Sequence, residues 1–172
     1  MISAEPSPSL ILDKHPTAAA VAAVEGQCFG VSWSVQEVER LLSNPAVGAW
    51  IVRQSRLDVA MICFQMTEDE AEIYRIGVLP GRRGKGFGRR LMVEYLSEAK
   101  RRGCKRVFLE VREGNIPAVE LYRSLGFQVS ARRKNYYAGP PEDGLVMELR
   151  VAPEKRAPSV RPRAHHVPGI RL

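Results

Sequence analysis

The chain has no apolar run near the roughly 20 residues that crossing a bilayer requires, so no membrane partner is expected. Cysteine is scarce. Cys28, Cys63 and Cys104 are odd in number, far apart and form no C-x-x-C pair. This argues against a disulfide framework and reads as reduced, mostly buried thiols in a cytoplasmic protein. The histidines are His15, His165 and His166, with no zinc-ligand spacing, so no metal is expected. An Ala-rich stretch, 17–24, lacks the strongly apolar centre of a signal peptide and follows Glu5, Asp13 and Pro16; it reads as a helix of the fold.

An excess of anions is also missing. The net charge is +7. Lys155, Arg156, Arg161, Arg163 and Arg171 against Glu154 put +4 of that in the last twenty residues, leaving +3 for the rest. Residues 1–152 are thus only mildly basic, and a dedicated nucleic-acid surface is not expected. The stretch 153–172 carries four prolines and little apolar pattern, which predicts a basic, disordered tail after a single domain over 1–152.

What remains alternates between two periods. Strands are expected at 9–12, 47–54, 57–66, 71–79 and 105–111, then in "FQVSARRKNYY" and "GLVMELRV". Helices are expected at 16–29 and 35–42. A third carries Leu91, Met92, Tyr95, Leu96 and Ala99 at helical spacing, with Gly103 as the stop. In a fourth, Asn115 is an N-cap, Pro117 lies in the first turn and Gly126 ends a helix containing Val119, Tyr122 and Leu125. The expected class is α/β, in three α/β/α layers, with a mixed sheet of about seven strands and about four helices.

One stretch is unusual. "IGVLPGRRGKGFGRRLM" (76–92) sets five glycines and five cations between a strand and a helix. A helix N-terminus offers unpaired N–H groups and partial positive charge, and glycine lets a ligand approach the backbone. A phosphate or pyrophosphate is the natural guest. The P-loop register is absent, since Gly86 and not Ser or Thr follows Lys85. The dinucleotide pattern fails because the third glycine of G-x-G-x-x-G is misplaced.

Arg83-x-x-Gly86-x-Gly88, after a strand and before a helix, resembles the acetyl-coenzyme A loop, [QR]-x-x-G-x-[GA], of the GNAT family of N-acetyltransferases. "FLEVREGNIPAVELYRSLGF" (108–127) resembles the segment that follows, with its Asn after a strand, its helical Tyr and its "LGF" exit. "ARRKNYY", "EDGLVM" and "VSWS" narrow the resemblance to the branch that acetylates the N-terminal alanine of a small-subunit ribosomal protein. The resemblance spans 9–150 and omits the tail.

It implies the GNAT acyl-CoA N-acyltransferase fold, acetyl-CoA as cosubstrate and the N-terminal peptide of a protein as acceptor. Ile76, Gly77 and Val78 match the strand that binds pantetheine; Gly77 by itself suggests a bulge or close backbone approach. The backbone of Gly84, Lys85, Gly86, Phe87, Gly88 and Arg89 matches the pyrophosphate cradle, and Asn115 an Asn near the coenzyme. Glu110 matches the family's general base, acting through water, and Tyr122 the tyrosine that protonates the departing thiolate. Read bare, Glu110 also fits a carboxylate paired with Arg112 or Arg75, and Tyr122 fits a core residue. Trp33, Tyr136 and Tyr137 are candidates to line the peptide groove, with the cations of "RRKNYY" facing an acidic peptide.

An α-amine is roughly 10–20% neutral at pH 7, and a lysine only about 0.04%. An N-terminal acceptor therefore asks less of a carboxylate base. The alternatives are a small-molecule amine or lysine side chain as acceptor, and a non-catalytic module that senses coenzyme or binds RNA.

Overall fold

The computed structural model describes residues 9–152. The stretch 153–172 expected to be a tail lies outside the described residues. Among the described residues seven strands and four helices follow in the order β1 (Leu10–Asp13), α1 (Ala18–Cys28), α2 (Val35–Leu42), β2 (Val47–Gln54), β3 (Leu57–Met66), β4 (Glu70–Val78), α3 (Phe87–Arg102), β5 (Arg106–Arg112), α4 (Ile116–Ser124), β6 (Gln128–Tyr137) and β7 (Glu142–Arg150). A short 3-10 turn, Pro80–Arg82, precedes α3. Among the described residues no helix is long and apolar enough to cross a membrane.

Local chemistry sets the helix ends. Thr17 accepts the N–H of Ala20 at 3.2 Å and caps α1. Ser34 and Glu37 form a reciprocal capping box on α2, which satisfies two otherwise orphaned donors. Gly103 closes α3 in the left-handed region, behind Lys100, Arg101 and Arg102 in the last turn. Asn115 occupies the cap position of α4, but its side chain makes no capping bond, contrary to the sequence reading.

The sheet runs β1-β2-β3-β4-β5-β7-β6. All pairings are antiparallel except β4 with β5. Alternation places two apolar sets on opposite faces. Val52, Ile62, Ile73, Val107 and Leu109 meet Leu91, Met92, Tyr95, Val119 and Tyr122 of α3 and α4. Ala49, Ile51, Met61 and Cys63 meet Val21 and Val24 of α1 and Val38 of α2. The expected three layers are present.

Two irregularities matter. Cys63 pairs with Arg75 and Phe64 with Ile73, so Tyr74 is the extra residue of a bulge in β4. The parallel ladder between β4 and β5 stops at the pair Ile73 and Leu109. Beyond it β4 stays with β3 and β5 stays with β7, so the two central strands part.

Candidate active site

The parted strands leave one edge of Ile76, Gly77 and Val78 without a strand partner, while their other edge pairs with Ile62, Met61 and Ala60 of β3. Arg83 donates to the Val78 carbonyl at 3.2 Å. Gly77 is not the bulge, which falls at Tyr74, but it is a close approach. A Cβ there would lie 2.8 Å from Cys28 Cβ and 3.0 Å from Phe29, so the end of α1 presses onto β4.

The loop behind β4 has the conformation its glycines permit. Gly84 and Gly86 have φ of 72° and 82°, and a Cβ on either would meet nothing within 4 Å. Gly86 starts α3 with no side-chain cap and no acid in the first turn. The first N–H groups of this helix therefore face outward beside exposed Lys85 and Arg83. This set fits a pyrophosphate. The Phe87 ring is buried in the core, which leaves only its backbone to face this loop. Gly88 lies inside the helix, where a Cβ would make ordinary contacts at 3.6 Å with Leu121 and Val78. The Arg89 side chain is turned to α4, donating to Ser124 Oγ at 2.9 Å. Asn115 is exposed one turn before Val119.

On the α1–α2 face of the sheet lies a cleft of about 330 Å³ lined by Trp33, Leu41, Glu72, Ile73, Tyr74 and Glu110. Glu110 lies on the sheet face opposite Val107, Leu109 and Val111, as its place in β5 requires. Its carboxylate pairs with Arg133 at 2.9 Å, and neither Arg112 nor Arg75 takes that place. Arg112 instead pairs with Glu142, and Arg75 with Glu25. Glu72 faces the same cleft. Burial first, and then the Glu110 charge, hold its carboxyl above the usual range, with Arg133 opposing.

Tyr122 sits on the other face, 5% exposed, with its ring centroid 6.0 Å from that of Phe127. Burial, and secondarily Tyr137, push its phenol well above the ordinary value. Tyr136 and Tyr137 cross edge-to-face at 5.1 Å on β6. Arg133 lies over Tyr136 and Arg112 over Tyr137. A hydrogen bond to the Glu110 carboxylate, and then that group's charge, raise the Tyr136 phenol's pKa. Trp33 and Glu110 thus share the cleft, whereas Tyr122, Tyr136 and Tyr137 do not line it. Arg132 and Arg133 are engaged with Glu113, Asp143 and Glu110, so two of the three cations of "RRKNYY" are matched internally.

Sequence reading missed Leu41, Glu72 and Tyr74. Glu72 was legible in part, as the one carboxylate between buried Ala71 and Ile73. That it shares a face with Glu110 depends on the parallel register, in which Glu72 lies opposite Phe108.

Comparison with known proteins agrees with this architecture. The family model for the acetyltransferase (GNAT) family matches residues 18–127. The [ribosomal protein bS18]-alanine N-acetyltransferase of Salmonella typhimurium is 38% identical over 100 residues, covering 55% of this chain and 68% of that one. Its Haemophilus influenzae counterpart is 32% identical over 127 residues, covering 72% and 86%. The crystal structure of the ribosomal-protein-S18-alanine N-acetyltransferase from Escherichia coli superposes with a TM-score of 0.78 at 27% identity, covering 87% of this chain and 99% of that one. Parted central strands, an uncapped glycine-rich helix start and a family match across 18–127 lead to one conclusion: the chain belongs to the GNAT family of acetyltransferases.

Proposed function

We propose that the protein moves acetyl from acetyl-CoA to the α-amine of a protein beginning with alanine, a small-subunit ribosomal protein in the cytoplasm. The observation that carries this is the placement of Glu110 in the cleft beside Trp33, where the two central strands part. The names of relatives up to 38% identical support the acceptor. Acetyl-CoA supplies an activated acetyl thioester with a thiol leaving group.

The chain's own residues divide the work. The backbone of Gly84 to Arg89, with Lys85 adding charge, holds pyrophosphate. The free edge of Ile76, Gly77 and Val78 aligns the extended arm, and Asn115 lies near it. Glu110 accepts the proton that the attacking amine sheds, and Tyr122 gives a proton to the departing sulfur. Tyr122 holds a proton to give through the physiological range, although the burial that raises its pKa also makes it a weaker acid. Trp33 flanks the acceptor in the cleft, and Tyr136 and Tyr137 stand outside it on β6, beside the Arg133 that pairs with Glu110.

Coenzyme release should be measured with alanine-initiated peptides, Nα-blocked lysine peptides and small amines. The alanine-initiated peptides should react fastest. A clear preference for lysine or a small amine would overturn the proposed acceptor while leaving the fold in place.

A further inference from the structure

Glu25 is 0% exposed, and it is the one charged side chain in the buried set among the described residues. It lies on the face of α1 that carries Val21 and Val24, where an apolar residue would avoid the desolvation of a carboxylate. Its partners explain the charge. Glu25 Oε2 accepts the backbone N–H of Trp33 at 2.8 Å. Its other oxygen meets the Arg75 guanidinium. Arg75 follows the β4 bulge directly, donates to the Val31 carbonyl at 3.1 Å, and lies 4.1 Å from the Trp33 ring and 5.1 Å from the Phe29 ring.

The carboxylate thus takes a donor of the α1–α2 loop, and its counterion takes an acceptor and two rings of the same loop. Hydrophobic burial holds this loop only at Phe29 and Trp33, which pack against the core, while Val31 between them is 81% exposed. The restrained residue, Trp33, is a wall of the cleft that contains Glu110 and Glu72.

We propose that Glu25 and Arg75 form a tether that positions Trp33, and through it sets which first residue the acceptor cleft admits. Neither residue touches the reacting atoms; both act through Trp33. The inference rests on the reading of this cleft as the acceptor site. A planar guanidinium is needed because an ammonium can pair with Glu25 but cannot stack flat on an indole.

Arg75→Lys tests this without leaving a buried carboxylate unpaired. The chain has two tryptophans, Trp33 and Trp50, so 5-fluorotryptophan labelling gives two fluorine signals. Trp50, 5% exposed in the core, reports the fold. In Arg75→Lys the Trp33 signal should move toward its solvent-exposed position, and the Trp50 signal and acetyl-CoA affinity should stay. kcat/KM should fall about tenfold for an alanine-initiated peptide and less for a leucine-initiated one, within the range that misplaced positioning groups cost. Trp33→Ala should relax the same preference, and the two changes together should be non-additive. An unmoved Trp33 signal, or an unchanged alanine-to-leucine ratio, would overturn the tether. The fluorine signal is read without substrate. If wild type acetylates no peptide, the proposed acceptor falls and the signal still decides the tether.

Discussion

Arg133 on β6 reaches over β7 to place its guanidinium 2.9 Å from the Glu110 carboxylate on β5. The assigned base is therefore already engaged, and because the Tyr136 phenol hydrogen-bonds the same carboxylate, an incoming amine competes with both groups. Both side chains are partly in water, at 52% and 28% exposure, so the pair is weak enough to yield.

Two variants separate base from partner. Glu110→Gln keeps the shape and removes the proton acceptor, so kcat should fall about 10²–10⁴-fold with coenzyme affinity unchanged. Arg133→Met severs the pair and leaves the base, so kcat should stay within about tenfold of wild type. Single-turnover rates on an alanine-initiated peptide read both. A near-normal Glu110→Gln would remove the carboxylate from the mechanism.

Tyr122→Phe deletes one oxygen and keeps a ring that packs on Phe127. As thiolate donor, Tyr122 should be worth about 10²–10⁴ in turnover, with no loss of coenzyme binding. Because burial raises its pKa, the phenol stays protonated well past neutrality. The wild-type rate should climb toward pH 8 as the acceptor amine deprotonates and then level off, without an alkaline decline from this group. A fall between pH 8 and 9.5 that vanishes in Tyr122→Phe would contradict the raised value.

The loop assignment can be tested by charge at constant shape. Gly86 has φ of 82°, which strains any L residue, although Asn tolerates it better than most. Gly86→Asn measures that strain, and Gly86→Asp adds a negative charge at nearly the same volume. Calorimetry should show acetyl-CoA binding to Gly86→Asp at least about tenfold weaker than to Gly86→Asn, or about 1.4 kcal/mol. Equal affinities would place the pyrophosphate elsewhere.

Glu98 on α3 gives a stability test independent of catalysis. Arg101 donates to both its oxygens, at 2.6 and 2.9 Å, and Arg102 at 2.7 Å. These bonds, Arg101's foremost, hold its carboxyl at about 2. A depressed folded pKa contributes stability that is present above the unfolded value and lost as pH falls through the folded one. The arginines are 67% and 47% exposed, so solvent screening limits the contribution to about 1 kcal/mol. Glu98→Gln should lower Tm by about 2–4 °C at pH 7. The difference should shrink between pH 4.5 and 2.

Sequence alone determined most of the layers and the conformation of the glycine-rich loop. Hydrophobic period is a local signal, so β2, β3, α2 and the C-terminal end of α3 fall where the pattern places them. Left-handed backbone at Gly84 and Gly86 is likewise a property of those residues. Phe87 and Gly88 sit in the loop motif, but packing against the core, Leu121 and Val78 decides what their side positions do. The cleft was legible only at Trp33 and Glu110, and its assembly was hidden for the same reason. Glu25, Trp33, Glu72, Arg75, Glu110 and Arg133 lie on five separate segments, and no window of sequence holds them. Glu110 found Arg133 rather than its sequence neighbour Arg112 because strand order puts β7 and then β6 beside β5. Arg75 reached Trp33 because the bulge at Tyr74 and the pressed contact at Gly77 bring α1 and its loop onto β4. Register, strand order and the parting of β4 from β5 are long-range pairings, and only the folded chain fixes them.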